Sequence, residues 1–252
     1  MKLIIQLDDL GFSEAVNYGI SKVVHEGVAS AVGLMSNMPY AQHGYDLIKD
    51  SSKVVIGLHT NICTGQPVSD PQSIPTLCNP QTGEFYTSND IRQRTEDTVD
   101  FKEACLEVEG QVLRFKEIAG VYPVYIDGHA VKSQQLFAAI KTVAKQYGIF
   151  LSMPLFPEWQ KVSGITSAKW FELDEKGVYD PIEYLVKDKG EILDKEVAVV
   201  IFHPGFLDHF ILTNSSFTTI RTLEANALCS PQVKEWLATE KIELCHFKNY
   251  LN

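Results

Sequence analysis

Residues 2–13 read KLIIQLDDLGFS, an apolar run that stops at two adjacent carboxylates, Asp8 and Asp9, before a glycine and a helix-capping serine. Like charges this close raise each other's cost of ionisation, so the pair needs a cation, a shared proton or open water. Downstream, Ser13 stands at an N-cap position, Val16, Ile20, Val23 and Val24 recur at helical spacing, and Gly27 supplies a stop. A strand is therefore followed by a helix.

The unit recurs along the chain. Strands are expected at ASAVGLMSN (29–37), VVIGLHTN (54–61), VYIDGHA (124–130), IFLSMP (149–154), VAVVIFHPG (197–205) and IELCHF (242–247). Helices are expected around 40–50, as one long segment from Asp90 to Ala119, and at 133–148, 181–188, 221–229 and 232–239. A Pro- and Gly-containing excursion runs from Ile62 to about Asn89, and a poorly patterned region ends near Tyr179. Alternating β and α segments with β-branched strands imply an α/β fold with a parallel sheet covered by helices. About six or seven strands suit a closed or nearly closed β/α barrel better than a dinucleotide-binding sheet. Neither G-x-G-x-x-G nor G-x-x-x-x-G-K-[ST] occurs. With no repeat and no linker, residues 1–252 read as a single domain.

Composition narrows the function classes. The formal net charge of −10 and the lack of a basic stripe argue against a nucleic-acid partner. Five cysteines without a C-x-x-C pair suggest neither a disulfide framework nor a thiolate zinc site, which fits a reducing cytoplasm. No apolar stretch is long enough to span a bilayer, and LIIQL is too short for a signal-peptide core.

In β/α barrels chemistry gathers at the C-terminal ends of the strands. Here those ends carry Asp8 and Asp9, then Asn37, His59, Asp127 with His129, and His203. One such histidine would more often be structural. Three histidines and three acids on four strands point to a shared polar site. His25 and His43 fall in helical segments, His209 in a loop and His246 inside the last strand, where ordinary surface or packing roles suffice.

An aspartate with two neutral imidazoles makes a hard-to-borderline cation site that leaves coordination positions open. One acid of the opening pair can then ligate the metal while its neighbour acts as a base. A metal acidifies water and polarises a carbonyl, and His203 could approach from another strand to protonate a leaving amine. These parts describe hydrolysis of an amide or ester.

At LDDLGFS, VNYGI, VASAVGLMSNMP, GLHTNICTGQPV, YIDGHA, HPGFLD and the RTLE beginning at Arg221, the chain resembles the YdjC-like family over nearly its whole length. That family is similar to polysaccharide deacetylases: β/α barrels that hold one divalent metal ion, commonly Mg or Zn, and remove acetyl groups from N-acetylated sugars. The resemblance implies Asp9, His59 and His129 as metal ligands, Asp8 as general base, and His203 as acid or transition-state stabiliser. Asp127 would orient a ligating histidine, while Asn37 and Asn61 would line the sugar pocket or satisfy loop backbone. The implied partner is a small carbohydrate.

The chain departs from the family pattern at Tyr125, Val131 and Ser133, where the fourth strand usually carries histidines, and at Ser152, where an arginine is common. Two other readings stay open: glycoside hydrolysis with Asp8 or Asp9 opposite Asp127, and a non-catalytic sugar-binding protein that keeps the metal cradle. Trp159, Trp170, Phe156 and Phe206 are candidates to stack on sugar rings. A homodimer is one assembly open to the chain, since the long amphipathic helix can pack within one copy or across two.

Overall fold

The computed structural model describes residues 1–250. Lys2–Leu10 forms β1, and every residue from Leu3 to Leu10 is buried because the strand lies at the centre of the sheet. On one side it pairs with β2 (Ala31–Leu34), and on the other with β7 (Val197–Phe202). Outward from β2 come β3 (Val55–Thr60), β4 (Tyr125–Gly128) and β5 (Phe150–Leu151), while β6 (Thr166–Ser167) lies beyond β7. The two-residue β8 (Glu243–Leu244) pairs with the first residues of β1. All of these pairings are parallel. Among the described residues β5 and β6 do not pair with each other, so the expected barrel takes its open form, a half-barrel.

Strand alternation sorts the side chains. Leu3, Ile5 and Leu7 join the large apolar cluster beneath the helices, whereas Ile4 packs inside the curve with Ala31, Tyr125, Val199 and Phe247. Gly57 lets Tyr125 enter that interior: a Cβ there would meet the Tyr125 ring at 2.4 Å. The floor is thus aromatic and buried. Two residues further along the same face of β1, apolar packing gives way to Gln6 and then Asp8.

Ten helices flank the strands among the described residues: α1 (Glu14–Glu26), α2 (Ala41–Ile48), α3 (Ser88–Arg92), α4 (Phe101–Ala119), α5 (Gln134–Tyr147), α6 (Pro157–Ser163), α7 (Pro181–Val186), α8 (His209–Asn214), α9 (Thr219–Cys229) and α10 (Pro231–Thr239). Ser13 caps α1 by accepting from Val16 N–H. The single helix expected from Asp90 to Ala119 is two. Thr87 and Asp90 close a capping box on α3, and Asp100 starts α4 anew by accepting from the N–H groups of Lys102 and Glu103. The unpatterned region contains α6 and β6, and His246 lies just past β8 rather than within a strand. No helix among the described residues is long and apolar enough to cross a membrane.

The excursion after β3 is fastened to α4 by residues one helical turn apart. Glu103 accepts from Thr76 N–H (2.7 Å), Glu107 from Val68 N–H (3.1 Å) and Ser69 N–H (2.9 Å), and Gln111 exchanges hydrogen bonds with the Asn61 backbone (2.6 and 3.0 Å). Fully buried Glu107 also accepts from Gln111 (2.8 Å). Glu107→Ala should therefore cost about 3 kcal/mol in urea unfolding, since it strands two loop donors and the Gln111 amide. A loss below about 1 kcal/mol would show that the loop is held elsewhere.

Candidate metal centre

Neighbouring strand residues normally point to opposite faces, yet Asp8 and Asp9 both line one cavity. The register of β1 against β2 shifts between Leu7 and Leu10, and Asp9 takes the left-handed conformation with φ 76°. This bulge turns the second carboxylate back toward the first. Aspartate tolerates the left-handed region better than most residues, at a cost of order 1 kcal/mol. Gly33 on β2 leaves room for the result, since a Cβ there would lie 3.0 Å from both Asp8 Oδ1 and His59 Cβ.

The two acids have different surroundings. Asp9 Oδ2 accepts from the Arg221 guanidinium at 2.8 Å. Its Oδ1 is buried without a hydrogen-bond partner, 3.1 Å from His129 Nδ1 and 3.4 Å from His59 Nε2. Those two imidazole nitrogens are themselves 3.1 Å apart. Asp8 Oδ1 accepts from the Gln6 amide at 2.7 Å, and the same nitrogen donates to Asp127 Oδ2 at 2.6 Å. Asp127 Oδ1 lies 2.7 Å from His59 Nδ1. A proton held on that nitrogen leaves the Nε2 lone pair facing Asp9 and His129.

Electrostatics follow from this wiring. Burial works against the Asp9 charge, but Arg221 and then His129 hold its carboxyl well below the usual range. Burial pushes Asp8 up to about 7 despite the opposing pull of His59. The His59 imidazole, also opposed by burial, is drawn well above its ordinary value by Asp8 and Asp127, and His129 rises to about 9 against burial, chiefly through Asp9. The Asp9, His59 and His129 donor atoms all lie within 4.8 Å of one another. One carboxylate oxygen and two imidazole nitrogens converging on a point that attracts positive charge fit a divalent cation.

His203 closes the other side, at the end of β7. Burial lowers it to about 3, and its Nδ1 has no partner. Its ring stands edge-on to Phe217 (5.2 Å) and Trp170 (6.2 Å). The α9 helix holds its peptide at both ends: Glu224 Oε2 accepts from His203 N–H at 2.5 Å, and Arg221 donates to the His203 carbonyl at 3.3 Å. Glu224 Oε1 accepts from Tyr179 O–H at 2.7 Å. Arg221 thus links the Asp9 carboxylate to the His203 backbone.

Asp8, Asp9, His59, Asp127, His129 and His203 all line one cavity of about 330 Å³. Asn37 and Asn61 lie outside it and serve loop backbone instead: Asn37 donates to Gln66 O (3.0 Å), and Asn61 donates to Thr64 O (2.8 Å) and accepts from Cys63 N–H (3.0 Å). Short polar side chains are the natural partners of such turn backbone. Of the four aromatic candidates, Trp170 and Phe156 line the cavity, while Trp159 donates to Leu151 O and packs on Phe150. His209 begins α8, and His25, His43 and His246 bond Leu47 O, Asn17 and Ser30 O, all away from the cavity. At the departures, Tyr125 is in the floor, Ser133 caps α5, and Val131 and Ser152 face the cavity.

Gln6, Arg221 as a partner of Asp9, and Glu224 went unassigned from sequence. Gln6 alone left a signal, as a polar residue inside an apolar strand on the same face as Asp8.

An open β/α barrel of parallel strands is the fold shared with polysaccharide-deacetylase-like structures. The chain matches the family described as YdjC-like protein over residues 2–239, and it belongs to that family. It is 32% identical over 253 residues to carbohydrate deacetylase 2 of Listeria innocua, covering 98% of each chain. An Enterococcus faecalis crystal structure, provisionally assigned to cellobiose-phosphate cleavage, superposes with a TM-score of 0.83 at 22% identity, covering 100% of this chain and 99% of that one. A family 4 acetyl xylan esterase from Clostridium thermocellum, solved with a cobalt ion, gives 0.55 at 10% identity over 99% and 90% of the two chains. These two likenesses establish the shared fold.

Glu224 is pushed up to about 7 by burial, against the hydrogen bonds from Tyr179 and His203 and an ordinary value of 4.5. Between those values the folded chain holds a proton that the unfolded chain has lost, so this group's contribution to stability falls as pH rises through the window and levels above it. Glu224→Gln removes that dependence. The wild-type stability minus that of the variant should fall by up to about 1.4 kcal/mol per pH unit between about pH 5 and 7 in urea unfolding. A flat difference would show that Glu224 stays ionised in the fold.

Proposed function

We propose that the protein is a divalent-metal-dependent deacetylase that hydrolyses the N-acetyl group of a small sugar or oligosaccharide. The observation that carries this reading is the bare, buried Asp9 Oδ1, set within 3.4 Å of two imidazole nitrogens on the wall of a cavity large enough for a sugar. Membership of the YdjC-like family and the likeness to a named carbohydrate deacetylase support it.

Asp9, His59 and His129 would hold one Mg or Zn ion, with Asp127 fixing the His59 tautomer. When bound, the ion supplies Lewis-acid polarisation of the scissile carbonyl and makes water more acidic. Asp8 takes the proton of the attacking water as that oxygen bonds to the carbonyl carbon. Its Oδ1 is occupied by Gln6, so Oδ2, 3.9 Å from His59 Nδ1, is the oxygen available for the transfer. As the C–N bond breaks, the amine nitrogen gains the proton that Asp8 took from water, and His203 on the far side of β1, kept neutral by burial, hydrogen-bonds the departing group. The rings of Phe217 and Trp170 flank His203.

Glycosidase chemistry fits less well. Asp8 and Asp127 share one Gln6 nitrogen on a single wall, whereas that reaction needs carboxyls flanking the bond.

The test is acetate release from a panel of N-acetylated mono- to trisaccharides with added Zn or Mg. Asp8→Asn should lower kcat by about 100-fold or more while elemental analysis finds metal retained. His59→Ala and His129→Ala should lose the metal. A metal-loaded wild type that releases acetate from no member of the panel would overturn the proposal.

A further inference from the structure

Ser152 follows the last residue of β5, is 1% exposed, and lines the cavity. Its backbone N–H donates to Ile126 O at 2.9 Å, but its hydroxyl has no hydrogen-bond partner. The β3–β4 register sets His59 opposite Asp127, and the β4–β5 register, with Ile126 opposite Leu151, carries that row on to Ser152. Ser152 therefore stands one strand spacing, about 4.8 Å, beyond Asp127 along the wall that holds the metal cluster. The wired oxygens of Asp127 go to His59 and Gln6 and not to Ser152.

A buried hydroxyl left unpaired is unfavourable, and substitution by alanine would remove the defect at almost no cost in volume. The fold gains nothing from the group. Val131, Phe137, Met153 and Phe156 line the same cavity, together with the cationic side chains of Arg92 and Lys132. The apolar side chains suit one face of a pyranose ring, and the unpaired serine hydroxyl suits one of its hydroxyls.

We infer that Ser152 is a substrate-recognition residue, whose hydroxyl pairs with a neutral sugar hydroxyl beside the reacting N-acyl group. The assignment rests on the deacetylase reading for its substrate class.

The metal-loaded chain and its Ser152→Ala and Ser152→Thr variants are titrated calorimetrically with N-acetylated mono-, di- and trisaccharides, assayed for acetate release, and melted without ligand. Ser152→Ala should raise both Kd and KM about tenfold with little change in kcat, while its Tm equals or exceeds that of the wild type. Ser152→Thr, which keeps the hydroxyl, should bind more nearly like the wild type. An unchanged Kd and KM in Ser152→Ala, or a lowered Tm, would overturn the assignment. Saccharide binding without acetate release would overturn the deacetylase reading alone, with Ser152 still judged on Kd. A wild type that binds no saccharide would overturn both.

Discussion

Three carboxylates, Asp8, Asp9 and Asp127, are buried within one small volume, and the surrounding structure is arranged to make that tolerable. Isolated buried charges are among the most costly features a fold can contain, so each acid must find a donor or a cation. Arg221 answers Asp9, the Gln6 amide answers Asp8 and Asp127 together, and His59 stands between all three. The left-handed turn at Asp9 makes this distribution possible, because it brings two sequence neighbours to one side of the sheet while giving them separate partners. Without the bulge, one of the two acids would face the apolar layer under the helices.

The chain of dependence runs outward from there. A buried floor of Ile4, Tyr125 and Phe247 lies under the polar layer, so the acids and imidazoles act in surroundings that strengthen each charge interaction. Beside it, α9 supplies Arg221 and Glu224 one turn apart, one reaching Asp9 and both gripping the peptide of His203. The two sides of the cavity are consequently coupled through one helix, and a displacement of α9 would disturb the Asp9 carboxylate and the His203 backbone together.

Much of this was legible in the sequence where the signal was local. The apolar runs of β1, β3 and β7 end in polar residues whose convergence follows from barrel topology alone, and all six acids and histidines read from those ends share the cavity. Short or interrupted elements were not legible: β6 has two residues, and the break before α4 depends on the cap at Asp100. For Asn37 and Asn61 the sequence leaves both roles open, because a carboxamide suits turn backbone as well as a sugar. Gln6 and Arg221 stayed hidden for a different reason, since their decisive partners lie 121 and 212 residues away, and no local pattern records such a meeting.

The Arg221–Asp9 pair joins the first strand to one of the last helices. During synthesis the amino-terminal carboxylate is made long before its guanidinium leaves the ribosome, so for most of translation the nascent strand carries a charge that its final environment cannot yet neutralise. Neutralisation of the Asp9 carboxylate therefore waits for a residue made 212 positions later.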